Sequence, residues 1–375
     1  MIIGVPKEIK NHEYRVGMIP ASVRELISHG HQVIVETQAG VGVGFSDEDY
    51  ISVGASILPT AAEVFTTADM IVKVKEPQAI ERAMLREGQI LFTYLHLAPD
   101  FPQTNELIKS KAVCIAYETV TDNMGRLPLL APMSEVAGRM SIQAGALTLE
   151  KSHGGRGLLL GGVPGVEPAK VVVIGGGVVG ANAARMAVGL RADVTILDRN
   201  IDALRRLDEE FQGRAKVVYS TTDAIEKHVL EADLVIGAVL IPGAAAPKLV
   251  TKEMISKMKP GAAIVDVAID QGGCFETSHA TTHADPSYII DDVVHYCVAN
   301  MPGAVARTST FALNNATLPY IVNLANKGYR NALLADDGFL EGLNVIHGLV
   351  TCKEVAESFD LDYVEAKTAI DQFSE

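Results

Sequence analysis

Arg15, Lys75, His96 and Asp270 are the side chains of this 375-residue chain best placed to do chemistry, because each follows a β-type apolar run where the chain gives way to a loop. Arg15 lies in the polar stretch Asn11-His12-Glu13-Tyr14-Arg15-Val16-Gly17, where a guanidinium can clamp a small carboxylate through two parallel hydrogen bonds. Strand alternation over Met70 to Lys75 puts Lys73 and Lys75 on one face, and at the strand's carboxyl end Lys75 would point into the crevice that ligands use in open α/β sheets. His96 follows Ile90 to Leu95, and an imidazole there suits proton transfer near neutral pH. Asp270 closes the run Ile264-Val265-Asp266-Val267-Ala268-Ile269-Asp270, where a carboxylate can take a proton from an amine or orient water, whereas Asp266 reads as a buried, hydrogen-bonded structural acid. Taken singly, Arg15 and the two lysines also read as solvated charges and His96 as a structural histidine.

The elements that must position these groups are announced by Gly175-Gly176-Gly177-Val178-Val179-Gly180, a G-x-G-x-x-G pattern between the apolar run Lys170 to Ile174 and a helical pattern. Gly175 permits a tight turn, Gly177 lets the backbone approach a pyrophosphate, Gly180 lets the helix pack on the sheet, and the helix N-terminus faces the anion. A second strand pattern, Val194 to Leu197, ends in Asp198 at about the twenty-residue distance where a carboxylate binds the adenosine ribose. Its charge would repel a 2′-phosphate, so the reading is an NAD site rather than an NADP site, with Asp270 the acid that faces the nicotinamide. Gly40-Val41-Gly42-Val43-Gly44 also follows a strand pattern, but Phe45 stands where the third glycine belongs, so that segment reads as a loop.

Composition bounds the remaining possibilities. The length favours two domains. With 32 basic against 46 acidic residues the net charge is −14, which disfavours nucleic acid as a partner. Cys114, Cys274, Cys297 and Cys352 are widely separated and read as reduced core residues of a cytoplasmic protein with no membrane segment. The spacings of His279, His283 and His295 match no standard metal pattern, and no metal is expected.

Strand patterns at Ile2 to Val5, Gln32 to Glu36, Met70 to Lys75, Ile90 to Leu95 and Ala112 to Tyr117 alternate with helical patterns such as Ala21 to Ser28 and Phe101 to Ser110, which predicts a parallel sheet. Ser134 reads as the N-cap of a helix through about Glu150 with a small-residue face at Ala137, Gly138, Ser141, Ala144, Gly145 and Thr148. Further strands are expected at Lys216 to Tyr219, Leu234 to Val239, Ala262 to Val267 and Tyr288 to Ile290. A long helix follows Pro302, and Thr351-Cys352-Lys353-Glu354 reads as a capping box before a last helix. The fold class expected is α/β, with two doubly wound domains: an NAD-binding Rossmann domain, residues 134–302, inserted into a discontinuous Rossmann-like substrate and catalytic domain, residues 1–133 and 303–375, with the ligand cleft between them.

The chain resembles the alanine dehydrogenase family, which includes the soluble NAD-binding part of nicotinamide nucleotide transhydrogenase. The resemblance rests on Gly4-Val5-Pro6-Lys7-Glu8 with Arg15, Lys75-Glu76-Pro77, Tyr94-Leu95-His96, the glycine motif with Asp198, Ala268-Ile269-Asp270, and His295-Tyr296-Cys297-Val298-Ala299-Asn300-Met301-Pro302-Gly303. It implies that Arg15 and Lys75 hold the substrate and that His96 and Asp270 act as acid and base. Cofactor contacts implied in addition to Gly175, Gly177, Gly180 and Asp198 come from Ser134, Val178, Val179, Ser220, Val239, Leu240, Val267, Ala268, Ile269, Asp270, Val298, Ala299, Asn300 and Met301. The implied reaction interconverts L-alanine with pyruvate and ammonium through iminopyruvate, and the implied assembly is a homohexamer. The chain departs from some relatives at Ala203, where they carry a basic residue, and at His279, where they carry arginine.

Overall fold

The computed structural model describes residues 1–239 and 246–373. The chain forms two compact units, Met1–Pro132 with Val305–Glu375, and Met133–Ala304. Strands of the first unit are β1 (Ile2–Val5), β2 (Gln32–Glu36), β3 (Ser56–Leu58), β4 (Met70–Val72), β5 (Ile90–Thr93) and β6 (Val113–Ala116). The second unit contributes β7 (Lys170–Ile174), β8 (Asp193–Asp198), β9 (Lys216–Tyr219), β10 (Leu234–Gly237), β11 (Ala263–Asp266), β12 (Ser287–Ile290) and β13 (Val293–Tyr296). The chain then returns to the first unit for β14 (Leu343–Ile346) and β15 (Leu349–Val350).

The first sheet runs β15-β14-β6-β5-β4-β1-β2-β3, and the second β12-β13-β11-β10-β7-β8-β9. Among the strands of the two sheets, β14 pairs antiparallel with β6 and β15, and β12 with β13; the other neighbours are parallel. In order of appearance, the parallel strands of each unit therefore follow the 3-2-1-4-5-6 arrangement of the doubly wound fold, as the sequence led us to expect. The order reverses between β1 and β4 in one unit and between β7 and β10 in the other, and ligands of such sheets bind beyond the strand ends at those reversals.

Parallel strands covered on both faces need apolar residues at every position, which is why Lys170-Val171-Val172-Val173-Ile174 shows no polar alternation. Val171 and Val173 join the core that contains Ala183, Ala184 and Ala187 of helix Val178–Gly189, whereas Val172 and Ile174 join a second core with Ile225 and Val229 of helix Thr222–Glu231. Each fully buried aliphatic side chain of this kind contributes about 1.5–3 kcal/mol relative to exposure.

Local expectations change where a tertiary contact claims a residue. β4 stops at Val72 rather than Lys75, because the N–H groups of Val74 and Lys75 donate to the Glu8 carboxylate at 2.6 and 3.3 Å. The helix expected to start at Ser134 spans Ala131–Thr148, so Ser134 lies inside it and is not its N-cap. Thr351 forms no capping box: Cys352 is the N-cap of helix Lys353–Phe359, and the Thr351 hydroxyl donates to Leu343 O at 2.7 Å instead. That helix is not the last, since Ala366–Gln372 follows. The long helix after Pro302 spans Ala306–Leu334 with a break at Gly328 (φ 72°, ψ 159°), and Val41–Val43 is a short 3-10 turn, consistent with the loop expected there.

The small-residue face on Ala131–Thr148 has the use its composition suggests. A Cβ on Gly138 would lie 2.2 Å from Val179 O, so the backbone of helix Val178–Gly189 approaches where only hydrogen fits. Gly138→Ala is expected to cost about 1–3 kcal/mol by overpacking, read as a drop of several degrees in the midpoint of thermal unfolding.

Candidate active site

In the second unit, most of the residues proposed from sequence to touch a dinucleotide follow the carboxyl ends of its strands, while Ser134 lies on helix Ala131–Thr148. The loop Gly175–Gly177 leaves β7, Asp198 ends β8, Ser220 follows β9, Val239 follows β10, the turn Val267–Gln271 follows β11 and Val298–Met301 follow β13. Leu240 lies outside the described residues. Gly175 has φ +102°, and a Cβ on it would meet Ala238 O at 2.6 Å. A Cβ on Gly180 would sit 1.7 Å from Gly175 O, so strand and helix can join this tightly only through glycine. At Gly177, the N-cap of helix Val178–Gly189, a Cβ would meet nothing within 4 Å. That opening exposes the helix N-terminus to an incoming anion without a side-chain cap competing for its first N–H groups.

Asp198 is held from both sides. Its Oδ2 accepts from Gly176 N at 2.5 Å and its Oδ1 from Asn200 N at 2.7 Å. A carboxylate offers about four lone-pair sites, so both oxygens keep capacity for ribose hydroxyls. Val178 is exposed, Val179 buried and Ser134 half-buried; Val298 and Met301 are buried beside half-buried Ala299 and Asn300. Ala203 is a capping position of helix Ile201–Phe211, its N–H donating to Asn200 Oδ1 at 3.1 Å.

The two acids of the β11 run separate as their surroundings dictate. Asp266 is fully buried, and its Oδ2 accepts from Cys274 N at 2.9 Å and Ser278 Oγ at 2.6 Å, which fixes the chain just beyond Asp270. Burial pushes its carboxyl above the ordinary range despite those bonds. Asp270 is exposed on the turn, where a carboxylate can exchange protons with a ligand. Among the described residues no three His, Cys, Asp or Glu side chains cluster to share a metal. His279 stacks on Tyr288 with centroids 3.7 Å apart, His283 Nε2 donates to Asn300 O at 3.1 Å, and His295 is buried.

In the first unit, Arg15 and Lys75 lie on the loops leaving β1 and β4, the two strands at its order reversal. Arg15 is only 2% exposed, which overturns the reading of a solvated charge. Its Nε and Nη2 donate to Glu13 Oε1 and Oε2, each at 2.6 Å. Burial alone would raise the Glu13 carboxyl, but the Arg15 bonds and then the nearby Lys75 charge outweigh it and hold the group below its ordinary range. Glu13 therefore fixes the Arg15 guanidinium, with the Lys75 charge nearby. Lys73 and Lys75 differ in their surroundings: Lys73 is fully buried between Glu8 and Glu81, while Lys75 is half-buried.

His96, beyond β5, adopts φ 50°, a left-handed conformation that a side chain normally avoids. Glu118 stabilises it by accepting the Leu95 N–H at 3.1 Å and the His96 N–H at 2.6 Å, and its Oε1 lies 3.8 Å from His96 Nδ1. The imidazole is exposed and near-parallel to the ring of Tyr94, whose hydroxyl donates to Leu129 O at 2.5 Å. Glu8, Glu13 and Glu118 were not singled out from sequence. The available signal was an acid within a few residues of, or one strand away from, each proposed cation or imidazole.

These features define the class: an α/β protein in which one unit carries a dinucleotide-binding loop and the other a carboxylate-pinned basic cluster. Comparison with known proteins makes it particular. The family descriptions "Alanine dehydrogenase/PNT, N-terminal domain" and "Alanine dehydrogenase/PNT, C-terminal domain" match residues 4–137 and 141–353. The chain is 63% identical over 370 residues to an alanine dehydrogenase of Halomonas elongata, covering 99% of this chain and 100% of that one. It is 56% identical to an alanine dehydrogenase of Methanococcus maripaludis, at 99% and 100% coverage. A solved L-alanine dehydrogenase superposes with TM-score 0.93 at 53% identity over 96% of this chain and 99% of that one. A transhydrogenase from Sinorhizobium meliloti superposes with TM-score 0.82 at 25% identity, covering 93% and 100%. The chain belongs to the alanine dehydrogenase/PNT family, as an oxidoreductase of the alanine dehydrogenase type.

His295 supplies a pH test of the second unit. Its Nδ1 faces Val293 O at 2.8 Å and so carries the proton, leaving Nε2 to accept from Thr277 Oγ1 at 2.7 Å. Burial pushes its pKa below the ordinary value, so between that lowered value and about pH 6.5 the unfolded chain binds a proton that the native chain does not. Native stability should fall as pH drops through this window. Unfolding midpoints measured from pH 7.5 downward should decline less in His295→Gln than in the natural protein.

Proposed function

We propose that the chain catalyses NAD-dependent oxidative deamination of L-alanine to pyruvate and ammonium, and the reverse reductive amination, through iminopyruvate. The observation that carries this reading is the Arg15–Glu13–Lys75 cluster at the order reversal of the first sheet, in a chain whose full-length relatives bear the name alanine dehydrogenase. The open Gly177 N-cap and the Asp198 carboxylate fit NAD, and that carboxylate disfavours a 2′-phosphate. Bound NAD supplies a nicotinamide ring that accepts the hydride from the substrate Cα. Ser134, Gly175, Gly177, Val178, Val179, Gly180, Asp198, Ser220, Val239, Leu240, Val267 to Asp270 and Val298 to Met301 are the residues proposed to hold it.

Arg15 binds the substrate carboxylate, its guanidinium plane fixed by Glu13, and Lys75 supports the same group. His96 and Asp270 carry the protons: they deprotonate the water that adds to the imine and return protons as ammonium departs. On the same family grounds the reading extends to a cytoplasmic homohexamer, which light scattering and cell fractionation test. Among the described residues no helix is long and apolar enough to cross a membrane.

The purified chain should form NADH rapidly with L-alanine at alkaline pH and give little product with NADP or L-lactate. Asp270→Asn should lower turnover by about 10²–10⁴-fold while NADH affinity stays within about threefold; equal losses in both would sink its assignment as a proton carrier. Arg15→Lys should raise the alanine KM by about tenfold or more with a smaller effect on kcat, because the ammonium cannot reproduce the planar fork.

A further inference from the structure

The largest set of buried charges in the first unit takes no part in the proposed chemistry. Lys73 Nζ lies 3.1 Å from Glu8 Oε2 and 2.7 Å from Glu81 Oε1, and all three side chains are at most 2% exposed. Such a cluster is weak grounds for stability, because apolar residues of similar volume often replace a buried ion pair at no loss. Its hydrogen bonds show a more specific use. The Glu8 oxygen that does not face Lys73 accepts the N–H groups of Val74 and Lys75 at 2.6 and 3.3 Å. Glu81 Oε2 accepts Gln78 N at 2.7 Å, the Tyr117 hydroxyl donates to Lys73 O at 3.0 Å, and the Thr93 hydroxyl donates to Lys75 O at 3.0 Å. The segment from Lys73 to Gln78 has no regular secondary structure, yet it is gripped on both sides of the Lys75 α-carbon.

We propose that Glu8 is a positioning residue for Lys75: one carboxylate oxygen is locked by buried Lys73, and the other fixes the backbone from which the Lys75 ammonium reaches the substrate carboxylate. Glu8 touches no reacting atom. It lies beyond β1, on the segment that also leads to Arg15, so one carboxylate sets the second cation relative to the strand that delivers the first. Glutamine at position 8 would present an amide NH₂ either to the Lys73 ammonium or to the two backbone N–H groups, a donor against a donor in both orientations. Aspartate would keep the charge beside Lys73 but fall one methylene short of spanning both sets of partners.

The inference rests on the assignment of Lys75 to the substrate carboxylate, and the test separates the two. Calorimetric titration of the full-length protein, preloaded with NADH and free of ammonium, with pyruvate gives a Kd without turnover. Glu8→Gln should weaken pyruvate binding at least tenfold while leaving the NADH Kd within about threefold, and Glu8→Asp, which preserves the charge if glutamine prevents folding, should show the same direction. In a Lys75→Ala background the Glu8 substitution should lose most of this effect, shrinking to under threefold, because a double-mutant cycle isolates what passes through Lys75. Wild-type pyruvate affinity in the Glu8 variants, or an undiminished loss in the Lys75→Ala background, overturns the positioning role. Wild-type affinity in Lys75→Ala alone overturns the assignment of Lys75 itself, and the inference falls with it by that separate route.

Discussion

A parallel strand that ends inside a protein leaves backbone N–H groups without a ladder partner, and this chain answers that constraint repeatedly with carboxylates. Glu8 takes Val74 and Lys75, Glu118 takes Leu95 and His96, Asp198 takes Gly176 and Asn200, and Asp266 takes Cys274 and Phe275. The first three sets of N–H groups lie just beyond strands, and the fourth closes the segment that carries Asp270. A charged acceptor makes roughly twice as strong a bond as a neutral one, so short loops are held without regular structure of their own. Neighbouring acids can differ sharply in their surroundings: Asp266 is buried and Asp270 exposed only four residues later.

The same accounting explains how cations are placed. Arg15 and Lys73 are both almost wholly buried, and each has carboxylate partners at salt-bridge distance. Lys73 is a structural cation surrounded by acids, whereas Lys75 is half-exposed and Arg15 shares Glu13's field with it. Two lysines separated by one residue, both just beyond the end of β4, thus sit in different surroundings, one enclosed by acids and one half-exposed.

The fold was legible where local signals agree with the global arrangement. Gln32–Glu36, Lys216–Tyr219 and helix Phe101–Ser110 occupy the spans their patterns indicate, and the glycine motif joins β7 to its helix. Signals failed where a distant partner decides. Alternation over Met70 to Lys75 could not reveal that Glu8 ends the strand early, and the Ser134 hydroxyl carried the right chemistry for a cap that an earlier helix start made unnecessary. Short strands such as β3 and β15 have too few residues to show a period and are specified by their neighbours. Arg15, Lys75, His96 and Asp270 are candidates that a sequence can offer, because a place after a strand pattern is a sequence property; Glu13, Glu8 and Glu118 are not, since their importance is a matter of who lies beside them.

The pairing of β14 with β6 has a consequence for biosynthesis. Val113–Ala116 leaves the ribosome long before Leu343–Ile346, and the whole of the second unit is translated in between. A nascent chain therefore completes the contiguous unit first, while the earlier sheet waits with β6 as an uncovered edge of Val, Cys, Ile and Ala. An apolar edge of that kind is a template for wrong partners, so the interval before the last segment emerges is when this sheet is open to mispairing.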